Sequence, residues 1–487
     1  FSVFTNFIDG QAGPGGYGGG GGGGAGGGAY DTDYTVNGGA GGLGGGGGGG
    51  GVNDTGSTSA NGGDSYGGGG GGGGGPAYGL NSAGGIDQHY LGGGSGGDGA
   101  NSTGFGFGGG GGGGGSGLGG AIFVDSNLNF TIEAIPGIPT TFNTINTTVQ
   151  AGMRGTSGSG GGTDGLDGSA YGNSIFLRSG SSLTFLAQNS DDLLVLGDGV
   201  AFVDDTQFGV GGTAVFVRGN GTIIYNGTTD YQGNITINNA NFEVNGEIDN
   251  ANVSVCRNIS FSSQRGMLSG SGILTGSVLA NSGTIAPSVG ETLTLGSLFL
   301  NPADPMGGAL GSLVYSAIDA SGAAFVHVLG SATLAGTVEI DLDVSAASGS
   351  YTILSADGGI SGTFDSITFT GPTPNYTLSY LPVGSPTFVR FDFLGYLDPA
   401  SNFQGVQKTN NFGLEYELYN QLSWTASPSS TVVSYFIYRN GTKIATVNAD
   451  TVTYQDHNRP AGVATVYALE AVDANGNVST PVTVTVP

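Results

Sequence analysis

Asn220-Gly-Thr-Ile-Ile-Tyr-Asn-Gly-Thr-Thr-Asp-Tyr-Gln-Gly-Asn-Ile-Thr-Ile237 is the stretch that decides the fold. Residues 222–225, Thr-Ile-Ile-Tyr, are a short apolar run, and apolar and polar side chains alternate at residues 234–237, Asn-Ile-Thr-Ile. Such alternation places successive side chains on opposite faces of a β-strand. The Asn-Gly pairs on either side of the first run, at residues 220–221 and 226–227, are typical of turns. The stretch therefore predicts short strands separated by polar turns.

Similar short runs occur at residues 121–124, 174–177, 182–185 and 214–217, whereas helical periodicity is nearly absent from the chain. Short strands bounded by Gly, Asn, Asp and Ser at close intervals predict an all-β protein. Two arrangements satisfy this pattern, a sandwich of two sheets and a coil of stacked repeats.

Internal similarity favours the stacked repeats. Residues 119–126 read Gly-Gly-Ala-Ile-Phe-Val-Asp-Ser, and residues 172–179 read Gly-Asn-Ser-Ile-Phe-Leu-Arg-Ser. Repeated units of strand and turn, without helices between them, are typical of a β-solenoid, in which each repeat buries its apolar side chains against the next, about 4.8 Å away. We predict a parallel β-helix over residues 118–300, followed by a β region over residues 301–396 that closes it.

Glycine dominates the beginning of the chain, with uninterrupted runs at residues 18–24, 44–51, 67–75 and 108–115. Such runs act as flexible linkers, or they form extended helices with three residues per turn that hydrogen-bond side by side. Both interpretations stay open at this point. Our fold prediction takes the second, a polyglycine II-like module over residues 1–117.

The strand segments also carry a family resemblance. Residues 220–237, 241–248, 268–278 and 281–287 resemble the passenger-associated β-strand repeat of bacterial autotransporters. Residues 330–340, 351–354 and 360–367 are similar to the segment that closes such a passenger. The resemblance covers residues 117–393. It implies a right-handed parallel β-helix displayed on the cell surface.

The C-terminal segment, residues 397–487, resembles a fibronectin type III domain. Residues 422–427, 434–447 and 466–479 are similar to strands B, C and F of that domain. The resemblance implies a β-sandwich with Trp424 in its core and Tyr467 as its tyrosine-corner residue. Asn440-Gly441 is the residue pair expected at a tight hairpin turn.

Charge restricts the possible partners. The 487 residues include 10 Lys and Arg against 36 Asp and Glu, for a net charge of −26. Nucleic acids and anionic membranes both require basic side chains, so we expect neither as a partner. We also find no apolar segment long enough to span a membrane. The low lysine content and the abundance of Asn, Thr, Ser and Gly indicate an extracellular or cell-surface protein.

No pattern of catalytic or cofactor-binding residues is visible. His89, His327 and His457 are isolated in the sequence, and Cys256 has no second cysteine with which to form an internal disulfide. Calcium is a possible cofactor, because carboxylates in tight turns are ligands that this ion accepts. Its candidate ligands are Asp191, Asp192, Asp198, Asp204 and Asp205. The favoured alternative is that these residues are ordinary solvated turn residues.

The first eight residues, Phe-Ser-Val-Phe-Thr-Asn-Phe-Ile, are apolar and uncharged. They could form the first strand of this chain's own fold. Alternatively, they could insert into a neighbouring molecule by adding to an open sheet edge. In that case the assembly residues are Phe1, Val3, Phe4, Phe7 and Ile8.

We therefore expect a non-enzymatic extracellular structural protein whose partners are copies of itself. Elongated subunits with complementary ends form filaments when the contact does not close into a ring. Two alternatives remain, a monomeric adhesin or autotransporter passenger that binds a host or matrix surface, and a carbohydrate-active β-helix enzyme that uses paired carboxylates.

Overall fold

The computed structural model describes residues 40, 47, 61–64, 83–84, 95–96, 98, 111–145, 147–157, 163–257, 264–302, 311–371, 374–474 and 476–487. These residues form β-strands and one 3-10 helix, Asp205–Phe208. The chain divides into two compact units, the first ending at Leu268 but including Gly272–Leu279, and the second consisting of Ser269–Ser271 and Ala280–Pro487.

The strands up to the end of the first unit are β1 Gly117–Leu118, β2 Ile122–Val124, β3 Asn129–Glu133, β4 Thr140–Phe142, β5 Ala170–Tyr171, β6 Ile175–Leu177, β7 Ser182–Ala187, β8 Leu193–Leu196, β9 Phe202–Asp204, β10 Ala214–Gly219, β11 Thr222–Tyr225, β12 Thr228–Asp230, β13 Asn234–Asn238, β14 Asn241–Val244, β15 Glu247–Asp249, β16 Asn252–Cys256, β17 Met267–Gly270 and β18 Ile273–Asn281.

The strands that follow are β19 Thr284–Pro287, β20 Thr292–Leu300, β21 Leu313–Asp319, β22 Gly322–Ala323, β23 Phe325–Val328, β24 Ala332–Leu334, β25 Thr337–Leu342, β26 Gly349–Ala356, β27 Ile360–Gly362, β28 Ser366–Phe369, β29 Tyr376–Leu381, β30 Phe388–Phe393, β31 Ser401–Asn411, β32 Tyr416–Thr425, β33 Val432–Arg439, β34 Thr442–Asn448, β35 Thr453–Asp456, β36 Thr465–Asp473 and β37 Val482–Val486.

The first unit is built from parallel sheets that successive segments of the chain visit in turn. One sheet runs β3-β7-β10-β13-β16, a second runs β4-β8-β11-β14, and a third runs β2-β6-β9. The segment β2-β3-β4 thus contributes one strand to each sheet, and β6-β7-β8 and β9-β10-β11 do the same. We call β2-β3-β4, residues 122–142, the first repeat and β6-β7-β8, residues 175–196, the second repeat.

The two similar octapeptides are neighbours in register, as the sequence predicts. Ile122 pairs with Ile175 and Val124 with Leu177. The rings of Phe123 and Phe176 stack with their centroids 5.9 Å apart and their planes 5° apart. Residues related by the octapeptide repeat therefore lie directly above one another.

The predicted alternation also selects the buried face correctly. Ile223 and Ile235 are both 0% exposed. Apolar residues are aligned along the β3-β7-β10-β13-β16 sheet, because the parallel register brings equivalent positions together. One such row consists of Phe130, Leu183, Val215, Ile235 and Val253.

Glycine segments pack beside β1. Three extended segments, residues 111–117, 150–155 and 163–169, exchange main-chain hydrogen bonds at intervals of three residues. The donor and acceptor pairs are Gly111 to Thr163, Gly114 to Leu166, Gly117 to Ser169, Gly152 to Gly115, Gly155 to Gly112, Gly165 to Gly155 and Gly168 to Gly152. A Cβ added at Gly114 would lie 1.8 Å from the Gly152 carbonyl oxygen, so this approach requires glycine.

The second unit begins with further parallel pairs and changes direction near its middle. Parallel pairing links β20 to β23 and β23 to β26. A second parallel set links β19, β21, β25 and β28. The pairs β26-β30 and β29-β30 are antiparallel, so the parallel sheet ends here on a hairpin.

Residues 401–486 form two antiparallel sheets, β31-β32-β35 and β34-β33-β36-β37. Their core contains Trp424 and Tyr467, as predicted, together with Tyr435, Ile437 and Leu469. Asn440 and Gly441 have φ values of 48° and 81° and join β33 to β34, which confirms the predicted hairpin turn.

The all-β prediction is therefore confirmed for the described residues, and so are the parallel sheets. The proposed boundaries at residues 117, 300 and 396 stay predictions. Within the part of the chain that the structure describes, no helix has the length and apolar character needed to cross a membrane.

Candidate assembly interface

The first repeat forms one edge of the parallel sheets. Among the described residues, β2, β3 and β4 each pair with a strand on one side only, namely β6, β7 and β8. An edge strand presents main-chain N–H and C=O groups that can pair with another chain. The first repeat is therefore the place to look for an assembly contact.

Apolar side chains that are buried elsewhere in the stack are exposed on this repeat. Phe130 is 38% exposed, although Leu183, its partner in register on β7, is 0% exposed. Large apolar side chains are also exposed in and beside the turns that follow β2, β3 and β4: Leu128, Ile135, Ile138 and Ile145. Leu128 is 57% exposed and Ile145 is 60% exposed. The first repeat thus presents apolar side chains on a side where no described strand packs against it.

The direction of the β3 main chain can be read from its hydrogen bonds. The Leu128 carbonyl accepts a hydrogen bond from the Ser182 N–H, and the Ala134 N–H donates to the Leu186 carbonyl. In a parallel ladder, successive residues direct their main-chain groups to opposite sides. Residues 128, 130, 132 and 134 therefore face β7. The main-chain groups of Asn129, Thr131 and Glu133 face the open side of the edge.

The five predicted assembly residues, Phe1, Val3, Phe4, Phe7 and Ile8, lie outside the described residues. Their part in assembly stays a prediction. Sequence reasoning named this segment as a strand that would add to an edge, but it did not say which edge would receive it.

The acidic turn residues have structural partners. The Asp204 carboxylate caps the 3-10 helix by accepting from the Thr206 N–H at 3.1 Å, and it accepts from the Thr213 hydroxyl at 2.6 Å. Its neighbour Asp205 accepts from the Ser179 N–H at 2.8 Å and from the Gly211 N–H at 3.1 Å. Burial raises the pKa of Asp205 despite these hydrogen bonds.

Asp192 has a comparable role at another turn. It accepts hydrogen bonds from the main-chain N–H groups of Asn189 at 2.8 Å and Gly137 at 3.0 Å, and the Asn189 hydrogen bond lowers its pKa. It thus ties the turn after β3 to the second repeat. Asp191 and Asp198 are exposed. The structure therefore does not gather the five predicted calcium ligands into one site, since the buried carboxylates bind N–H groups. Among the described residues, no group of three or more His, Cys, Asp or Glu side chains could hold a metal ion.

The predicted tyrosine-corner residue differs from expectation in its partners. The Tyr467 hydroxyl donates to the Asp456 carboxylate at 2.6 Å and accepts from the Asn420 amide at 2.9 Å. A tyrosine corner would instead bond to the main chain upstream. Asp456 also binds Arg439 at 3.0 Å, and this buried carboxylate attracts the hydroxyl more strongly than a neutral carbonyl would.

A second exposed apolar group lies at the tip of the β31-β32 hairpin. Phe412 is 68% exposed, Leu414 is fully exposed and Tyr416 is 70% exposed. The Phe412 N–H donates to the Glu415 carbonyl at 2.8 Å, so the tip is an ordered turn. Sequence reasoning missed this tip, although Phe412-Gly-Leu-Glu-Tyr416 places three large apolar residues around a glycine.

The two described histidines each lie beside one carboxylate. His327 lies on β23 with its Nε2 3.3 Å from the Asp357 carboxylate, and His457 follows β35 with its Nδ1 2.8 Å from Glu417. His89 lies outside the described residues.

No protein-family model matches this chain. A curated relative, Exoglucanase B of Cellulomonas fimi, is 44% identical over 61 residues, which are 12% of this chain and 5% of that enzyme. The solved structure of FN3tt mut is similar at 20% identity and a TM-score of 0.14, over 18% of this chain and 91% of the other. The Clostridium perfringens spore cortex lytic enzyme SleM is similar at 12% identity and a TM-score of 0.18, over 40% of this chain and 67% of the other.

Proposed function

We propose that this chain is a non-enzymatic structural protein, the subunit of an extracellular fibre on a bacterial surface in which copies join head to tail. The observation that supports the proposal most is the first repeat, where an unpaired strand edge and exposed apolar side chains coincide. The second repeat covers one side of the first repeat, and a further layer on the open side would bury more apolar surface, because repeats of this kind build their core by stacking. A second copy can supply that layer.

The proposed subunit has three parts. Residues 118–300 coil as a right-handed parallel β-helix of the autotransporter-passenger type, residues 301–396 close it, and residues 397–487 form a fibronectin type III-like sandwich. The glycine-rich beginning is a polyglycine II-like module. The hydrogen bonds at every third residue among residues 111–117, 150–155 and 163–169 support this last assignment, because polyglycine II has three residues per turn.

Assembly proceeds through the N-terminal strand. The apolar residues of this strand have uncharged side chains and high β-propensity, so pairing with a sheet edge lowers the free energy. They are Phe1, Val3, Phe4, Phe7 and Ile8. Addition of a strand to an exposed edge is a recurrent mode of protein association. The carboxylates of Asp192, Asp204 and Asp205 are engaged with N–H groups, which supports a structural rather than a catalytic role for them.

Removal of residues 1–8 tests the proposal. We expect the unaltered chain to form species of increasing mass as its concentration rises in sedimentation velocity, and we expect the truncated chain to stay monomeric with an unchanged melting temperature. Polymerisation of the truncated chain to the normal mass would refute strand exchange. A monomeric unaltered chain at high concentration would refute the fibre itself.

An adhesin that binds a host or matrix surface is the second candidate, and the β31-β32 hairpin tip favours it. Exposed aromatic residues on a rigid hairpin are typical binding anchors. The doubly substituted chain Phe412→Ser/Leu414→Ser should lose binding to a matrix-coated surface if the adhesin account is right, whereas fibre formation should not change. The 61 residues similar to Exoglucanase B are 5% of that enzyme, so its activity is not carried over to this chain.

A further inference from the structure

We propose that the edge of β3 is the receiving site of the fibre, and that its occupant is residues 1–8 of a second copy, bound as an added parallel strand. This inference rests on the proposed function and names the partner surface that the fibre requires. It concerns the main chain of Asn129, Thr131 and Glu133 rather than any side chain.

Apolar side chains on and beside β3 are exposed. In a single copy, 57% of Leu128, 38% of Phe130 and 53% of Ile135 remain exposed. No strand among the described residues covers this edge, whereas Leu183, Val215 and Ile235, which are equivalent to Phe130 on β7, β10 and β13, are all 0% exposed. An added strand from a second molecule would cover these side chains.

The hydrogen-bonding groups of β3 have a defined direction. The even-numbered residues of β3 face β7, so the N–H and C=O groups of Asn129, Thr131 and Glu133 point away from the sheet. Within the described residues, no strand pairs with them. An added strand would continue the ladder that already links β3, β7, β10 and β13.

The sequence of the occupant matches the pattern of β3. Phe130-Thr-Ile132 presents an apolar, a polar and an apolar residue; β7 and β13 repeat this order as Leu183-Thr-Phe185 and Ile235-Thr-Ile237, whereas β10 between them reads Val215-Phe-Val217. Phe1-Ser-Val3 has the same order as β3. An added strand in this register would place two apolar residues on the exposed layer and a hydroxyl beside that of Thr131.

Both proposed partners carry little charge. The chain has a net charge of −26, so two copies repel each other. The repulsion across a contact is weakest where the contacting segments carry few charges. Residues 1–8 contain no charged side chain, and β3 contains one, Glu133. The two proposed partners therefore meet at a charge-poor contact.

A proline at position 131 tests the inference. Thr131 is exposed, and proline removes the N–H that faces the open side without removing a bond to β7. Thr131→Ala is the matched control, because alanine keeps the N–H. We expect T131A to form fibres like the unaltered chain, and we expect T131P to remain a folded monomer.

Mixing makes the test specific. T131P keeps its donor strand, and the chain without residues 1–8 keeps its receiving edge. Each should be monomeric alone, and an equimolar mixture should give a discrete dimer in sedimentation velocity. Normal fibres of T131P would overturn the receiving edge but leave the fibre proposal standing, whereas absence of fibres from the unaltered chain would overturn the fibre proposal itself.

If T131P loses its cooperative melting, it no longer reports on the receiving edge, and hydrogen exchange of the unaltered chain tests the inference instead. In the unaltered chain, assembly should slow the exchange of the Asn129, Thr131 and Glu133 amides by at least about tenfold, as expected when edge amides become paired. Unchanged exchange at these three amides in the assembled state would overturn the inference. Protection of the same amides in dilute monomers would overturn it as well, because the chain would then cover its own edge.

Discussion

Gly114→Ala should separate the glycine segments that pack beside β1. The added Cβ would lie 1.8 Å from the Gly152 carbonyl oxygen and 2.7 Å from the Gly168 nitrogen. Both neighbours are main-chain atoms, so the methyl group cannot be accommodated by a change of rotamer. The segments must move apart, and three hydrogen bonds are then at risk: Gly114 to Leu166, Gly152 to Gly115, and Gly168 to Gly152.

The expected magnitude follows from these three bonds. Each contributes about 0.5–1.5 kcal/mol net, so their loss costs roughly 2–4 kcal/mol of local opening free energy. That corresponds to exchange of the affected amides that is roughly 30- to 1000-fold faster, at about 1.4 kcal/mol per factor of ten.

Amide hydrogen exchange measured by mass spectrometry is the assay, because local opening need not change the global melting curve. Gly349→Ala is the matched control, since no atom lies within 4 Å of a Cβ at that position. Unchanged exchange across residues 111–117 and 150–155 in Gly114→Ala would refute the close packing of these segments.

Three further predictions concern stability. Ile235→Asp buries a carboxylate without a partner at a cost of several kcal/mol, so it should lower the melting temperature. Asn234→Asp, at the adjacent exposed position, should not lower it. Equal melting temperatures of the two variants would contradict the inward direction of Ile235. Residues 397–487 alone should unfold cooperatively with a blue-shifted Trp424 emission, and the emission of a free peptide would contradict an independent core. Burial and a carboxylate neighbour raise the pKa of Tyr438 and Tyr467 to about 12, so these neutral phenols stabilise the fold fully below pH 10. This stability should decrease between pH 10 and 12, and Tyr467→Phe should reduce that decrease in an alkaline titration followed by tryptophan fluorescence.

Much of the parallel stack could be predicted from sequence, because short sequence patterns within single strands and turns specify it. Alternation at residues 234–237 fixes which side chains face inward, and the similarity between residues 119–126 and 172–179 identifies two strands that become neighbours. The hairpin turn at Asn440-Gly441 is equally local, since only two residues determine it.

Other features depend on contacts that no local pattern encodes. The hydrogen-bond partners of the glycine run at residues 108–115 include Gly152 and Gly155, which stand outside any glycine run of comparable length. Asp192 and Asp205 look like calcium ligands by composition, but main-chain N–H groups more than 25 residues away are among the groups that occupy their oxygens. The receiving edge could not be predicted either, because exposure of Phe130 differs from burial of Leu183 only through position in the stack.

Electron microscopy of the purified chain at increasing concentration tests the central claim most directly. The account predicts unbranched filaments that lengthen with concentration and a repeat along the filament axis of one subunit. Filaments should be absent from the chain that lacks residues 1–8. Single particles of one subunit at every concentration would contradict the fibre account and leave the surface-binding adhesin as the better description.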